Sequence, residues 1–104
     1  MSRFARRKDF NQREVEDALR AAGWQVSDLS FAGRGVPDLL AASACDPAPI
    51  TLLVEVKMLG EKLTEAETRF HKTFRGNIMI VDSGTCAVVL ANEIRARHLG
   101  VNYV

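Results

Sequence analysis

Ile50-Thr51-Leu52-Leu53-Val54-Glu55-Val56-Lys57-Met58 is the clearest strand in the chain. Period-two alternation puts Leu52, Val54, Val56 and Met58 on one face and Thr51, Leu53, Glu55 and Lys57 on the other. Glu55 and Lys57 therefore point the same way, as charges set into an otherwise apolar strand. Burying an ionised group is costly unless it is paired or binds a metal. An ion pair between the two on a solvated sheet face would answer that cost, and the alternation alone does not separate this account from a functional site.

Upstream, Asn11 to Ala22 carries Val15, Ala18, Leu19 and Ala22 at helical spacing, with Gly23 as the stop. Trp24 to Phe31 predicts a strand that ends in a flexible Gly33-Arg34-Gly35 turn, and a second short strand runs from near Val36 through Ala42. Cys45-Asp46-Pro47-Ala48-Pro49 cannot continue it, so the chain turns back into the strand at Ile50 as a hairpin. Downstream, Leu59-Gly60 breaks the pattern and Thr64-Glu65-Ala66-Glu67 forms a capping box, opening a helix that buries Phe70 and Phe74 before Gly76. Ile78 to Val81 and Cys86 to Leu90, separated by Asp82-Ser83-Gly84-Thr85, predict two more strands, and Glu93 to Leu99 a short terminal helix. The expectation is an α/β fold, a mixed sheet flanked by helices.

The 104 residues suit a single domain, 1–104, with a basic, flexible arm over 1–9 that holds Arg3, Arg6, Arg7 and Lys8. A hydrophobic share of 47% and a charged share of 26% fit an ordinary globular protein and argue against a disordered or fibrous one. Cys45 and Cys86 belong to no metal-binding spacing and are expected to be reduced. No apolar run approaches the ~20 residues of a membrane span, so no membrane partner and a cytoplasmic setting are expected.

Asp38 tips the balance at the charged strand. If the hairpin sets the two strands side by side, Asp38 approaches Glu55, and two carboxylates repel unless a cation neutralises them. Magnesium, for which manganese commonly substitutes, prefers such oxygens; Asp38, Glu55 and the Val56 carbonyl would leave room for water and a substrate phosphate. The expected chemistry is phosphodiester hydrolysis, with the ion acidifying a water and Lys57 orienting it or stabilising charge.

Gly35-Val36-Pro37-Asp38-Leu39-Leu40 followed by Leu53-Val54-Glu55-Val56-Lys57 resembles the PD-(D/E)xK nuclease superfamily, and within it the VRR-NUC and Holliday-junction-resolvase-like branch, including its small phage-type members. The resemblance implies a restriction-endonuclease-like αβββαβ core, a Mg2+ or Mn2+ cofactor and a nucleic-acid substrate, DNA favoured, in structured or duplex form. It matches Asp38 and Glu55 to metal ligands and Lys57 to the catalytic lysine. Relatives often place a glutamate on the first helix, where this chain has Gln12, with Glu16 one turn later on the same face. Glu67 stands where relatives often carry a glutamine, although its capping-box role accounts for it as well.

Arg34 and Lys62, with Arg6 and Arg7 on the arm, are candidates for phosphate contact and serve equally as solvated surface charges. His71 beside Phe70 has the pattern of a helix-surface or packing residue. A short domain acting on paired strands suits a symmetric homodimer, for which Val101-Asn102-Tyr103-Val104 offers an edge strand. The competing functions are a nucleic-acid-binding module that kept the fold without catalysis and a purely structural α/β protein.

Overall fold

The computed structural model describes residues 3–44 and 46–100, with side chains from Asp9 onward; Cys45 and the expected edge strand at 101–104 lie outside the described residues. The order is α1 (Arg3–Ala21), β1 (Trp24–Asp28), β2 (Leu39–Ser43), β3 (Thr51–Val56), α2 (Glu65–Thr73), β4 (Asn77–Val81) and α3 (Gly84–His98). The strands form one mixed sheet in the order β1-β2-β3-β4. β1, β2 and β3 are successive antiparallel neighbours, whereas β4 lies parallel to β3 after the α2 crossover. The core expected from the sequence is present, followed by a third helix.

Register sorts the side chains of the sheet. Leu39, Val54 and Met79 pair across three strands, so they share a face with Ala41, Leu52, Val56 and Val81. That face packs on Val15 and Leu19 of α1 and on Ala87 and Ala91 of α3, all fully buried. Leu53 and Glu55 pair with Ile78 and Ile80 on the opposite face, over which α2 lies. α2 covers that face incompletely. Phe70 and Phe74 are only half-buried, their rings 5.5 Å apart, where the sequence predicted buried residues.

Cys86 to Leu90 is helical, part of α3, and the separate strand and short helix expected over 86–99 merge into this one element. The apolar run Cys86-Ala87-Val88-Val89-Leu90 has the composition of a strand, but its neighbours decide otherwise. Ser83 caps the helix by accepting from the Cys86 N–H at 3.1 Å. Small residues at Gly84, Ala87 and Ala91 then let α3 approach α1: a Cβ on Gly84 would lie 2.8 Å from that of Ala18. Tertiary approach outweighs β propensity here. α1 also begins at Arg3 and not near Asn11, so it takes in the backbone of residues 3–9 of the expected basic arm.

The loop from Leu29 to Asp38 is tied down at both ends. Leu29 N–H donates to the Asp38 carbonyl at 2.7 Å, and Val36 N–H to the Gly33 carbonyl at 3.1 Å. Between them Gly33, Arg34 and Gly35 all take left-handed φ values of 67°, 57° and 80°. At Gly35 a Cβ would fall 2.3 Å from the Ala66 carbonyl oxygen at the start of α2, while at Gly33 it would meet open space. Gly35→Ala therefore adds a backbone clash to a conformational cost of about 1–2 kcal/mol. In urea titrations Gly33→Ala should lose only that conformational cost, about 1–2 kcal/mol, and Gly35→Ala distinctly more; equal losses would show that α2 does not seat against this loop.

Candidate active site

β3 carries Glu55 and Lys57 to the same side of the sheet, and its end is where the β2 ladder stops. The last paired residues are Leu39 and Val54, so the Val56 N–H has no β2 backbone partner and donates to Asp38 Oδ2 at 2.8 Å. Pro37, buried ahead of Asp38, fixes its own φ and favours extended backbone before it. The expected convergence of Asp38, Glu55 and Val56 is thus met by a hydrogen bond in place of a strand pair.

Glu55 has no solvent exposure, and neither of its carboxyl oxygens has a hydrogen-bond donor. Burial, then the hydrogen bond that a protonated Glu55 can donate to Asp38 and Coulomb repulsion from the Asp38 carboxylate, with further repulsion from Glu67, push its carboxyl from an ordinary 4.5 up to about 9, against the pull of Lys57. By keeping its proton and donating it to Asp38 this group gains a bond in the absence of a cation. A charged Glu55 calls for a positive partner at those two bare oxygens.

Lys57 is also buried, with a side chain 7% exposed, but its charge is answered. Its Nζ donates to Glu67 Oε1 at 2.7 Å and to Glu61 Oε2 at 3.5 Å. Burial alone would lower the lysine pKa; Glu67, Glu61 and Glu55 outweigh it and raise the pKa above its usual range. Glu67 closes the capping box as well, its Oε1 accepting from the Thr64 N–H at 2.8 Å while Thr64 Oγ1 accepts from the Glu67 N–H. Burial raises the Glu67 pKa, and the bonds from Lys57 and Thr64 more than reverse that.

Gln12 is buried on α1 and lines an open recess of about 370 Å³ with Glu16, Asp28 and Asp38. Its amide helps Ser30 hold the Asp28 carboxyl below its usual range. Gln12 and Glu16, one turn apart on α1, thus both line the recess beside Asp38. Arg34 and Lys62 are solvent-exposed on the loops after β1 and β3, and neither bonds to Asp38, Glu55 or Lys57 among the described residues. The side chains of Arg6 and Arg7 lie outside the description.

His71 is the residue the sequence pattern undervalued. Its Nε2 lies 3.6 Å from Glu55 Oε1, and its side chain is 13% exposed. Burial first, then Lys57, lower its pKa against the pull of Glu67, so the ring is neutral at pH 7. The signal was its spacing: Glu67 and His71, four apart, put two polar groups on the face of α2 that meets the sheet.

A hard divalent ion suits this donor set. Two adjoining carboxylates, one with both oxygens bare, offer oxygen ligands. No group of three or more His, Cys, Asp or Glu side chains forms a metal cage among the described residues. The rest of a coordination shell would then fall to backbone, water and substrate, as magnesium tolerates.

A solved structure described as a VRR_NUC domain aligns with this chain at a TM-score of 0.66 and 30% identity, over 83% of this chain and 95% of the other. The chain belongs to the VRR-NUC family. No family profile and no curated protein matches it. The VRR-NUC assignment brings a nuclease-type fold, and in this member the charged groups of β3 sit beneath α2. No helix among the described residues is long and apolar enough to cross a membrane.

This VRR-NUC domain should show a pH signature when free of metal. The unfolded chain releases the Glu55 proton near 4.5 and the folded one near 9, so the folded state binds more protons between those values and stability falls as pH rises through that window. His71, with a depressed pKa, acts oppositely below about 6.5, which leaves pH 7 to 9 as the clean interval. In chelator, urea unfolding should lose up to about 1.4 kcal/mol per pH unit there. Glu55→Gln should flatten the slope; an unchanged slope would place the buried proton elsewhere.

Proposed function

We propose that this VRR-NUC domain is a metal-dependent endonuclease that hydrolyses phosphodiester bonds in DNA, with Mg2+ as cofactor, Mn2+ able to replace it, and structured or duplex DNA as substrate. The observation that carries this is the Glu55 carboxylate, fully buried beside Asp38 with both oxygens unpartnered. Asp38, Glu55 and the Val56 carbonyl would hold the ion. When bound, it would supply Lewis acidity to activate water and to neutralise charge at the phosphorus.

The residues of the chain divide the remaining work. Val56 N–H fixes Asp38 through Oδ2, which sets the spacing of the two carboxylates. Lys57, kept protonated by its glutamate partners, acts as a fixed cation and not as a base. Of its three N–H donors, Glu67 and Glu61 take two, which leaves one for a water or a phosphate oxygen. Gln12, beside Asp38, orients groups in the recess through its amide, and Arg34, Lys62, Arg6 and Arg7 contribute phosphate contacts. A homodimer would present two such sites to paired strands.

A non-catalytic nucleic-acid-binding module is the alternative. It would gain nothing to offset the desolvation of Glu55, and an apolar residue there would be more stable. The decisive measurement compares wild type with Lys57→Ala on labelled duplex, single-stranded and four-way-junction DNA, with Mg2+, Mn2+ or chelator. Wild type should cleave only with metal, and the variant should bind DNA while cleaving at least about 100-fold more slowly. Binding without cleavage by both proteins would favour the module.

A further inference from the structure

Among the described residues, the buried side-chain polar atoms left without a partner are Glu55 Oε1, Glu55 Oε2 and His71 Nε2. They belong to two side chains that face each other, 3.6 Å apart at Oε1 and Nε2. That separation is slightly too long for a hydrogen bond. A small inward movement of the ring would satisfy both.

The elements are matched for this contact. Glu67 and His71 are four apart on α2, a rise of about 6 Å. Lys57 and Glu55 are two apart along β3, about 6.6 Å. With Glu67 locked on Lys57 at 2.7 Å, the next turn of α2 brings His71 over Glu55.

We propose that His71 is a positioning residue for the metal site: its Nε2–H donates to Glu55 Oε1 and turns Oε2 toward the cation. This rests on the metal-dependent reading above. A charged Glu55 needs a cation at one oxygen and a donor at the other, and His71 supplies the donor. Direct ligation by His71 fits less well, because no group of three such side chains converges on one point among the described residues. Hydrogen bonds from outer residues commonly fix ligand orientation and tune metal affinity.

The test measures Mn2+ binding to the full chain by calorimetry and by the electron-spin signal of free Mn2+. His71→Phe keeps a ring for packing and removes the donor, so affinity should fall about 10–100-fold. His71→Gln restores an N–H and should recover most of the loss. Histidine 15N NMR of the Mg2+-loaded wild type should show Nε2 protonated, and this arm decides the matter if His71→Phe does not fold. Wild-type affinity in folded His71→Phe would reduce His71 to packing, and a bare Nε2 would leave it no proton to donate to Glu55; either overturns the proposal alone. Wild type that binds no Mn2+ or Mg2+ overturns this proposal together with the metal-dependent reading.

Discussion

A carboxyl group with no solvent exposure sits near the end of β3, and much of the molecule is arranged around that constraint. Desolvation makes a charged Glu55 costly, and a neutral one must give its proton to Asp38. Both outcomes require Asp38 to be close and fixed, which the Val56 N–H provides at 2.8 Å. Solvent does not reach Glu55 to relieve the problem, since α1 and α3 cover one face of the sheet and on the other His71 of α2 lies against its carboxyl. The same packing that makes a charged Glu55 expensive leaves both of its carboxyl oxygens without a donor.

The scaffold achieves this through a few close approaches. Gly35 lets the loop before Asp38 pass against the backbone that begins α2, and Gly84 lets α3 settle on α1. The first fixes the helix that carries Glu67 and His71 relative to the carboxylate on β2's leading edge. The second closes the dry side of the sheet over Leu52, Val54 and Val56. On the far side of the molecule Arg95 makes paired hydrogen bonds to Asp46, at 2.7 and 2.9 Å to its two oxygens from Nε, pinning the β2–β3 turn to α3. Those bonds hold the Asp46 carboxyl down to about 2.

Where local pattern and tertiary packing agree, the sequence was legible. The alternation around Glu55, the Thr64–Glu67 capping box and the turn before Asp38 all appear in the structure at the expected places, and Asp38, Glu55 and Lys57 converge. α3 failed the same test because Cys86 to Leu90 is short, apolar and rich in β-branched residues, a pattern shared by strands and buried helices. Its deciding residues, Gly84, Ala87 and Ala91, matter for how closely α1 can approach, which no local period reports. The placement of His71 was obscured for a related reason: the side chain it faces lies sixteen positions earlier, on another element.

Glu67 shows how closely fold and site are joined. One oxygen, Oε1, accepts both the Thr64 N–H that closes the helix cap and the Lys57 ammonium. A cap residue ordinarily contributes about 1 kcal/mol to a helix end, and a surface ion pair contributes less. Here the two share an acceptor at 14% side-chain exposure, so the start of α2 and the orientation of Lys57 stand or fall together. A glutamine at this position would keep an oxygen for the cap and lose the charge that answers the lysine. The glutamate thus favours a lysine that stays protonated, which under the proposed nuclease reading would make Lys57 a charge-stabilising group and not a base.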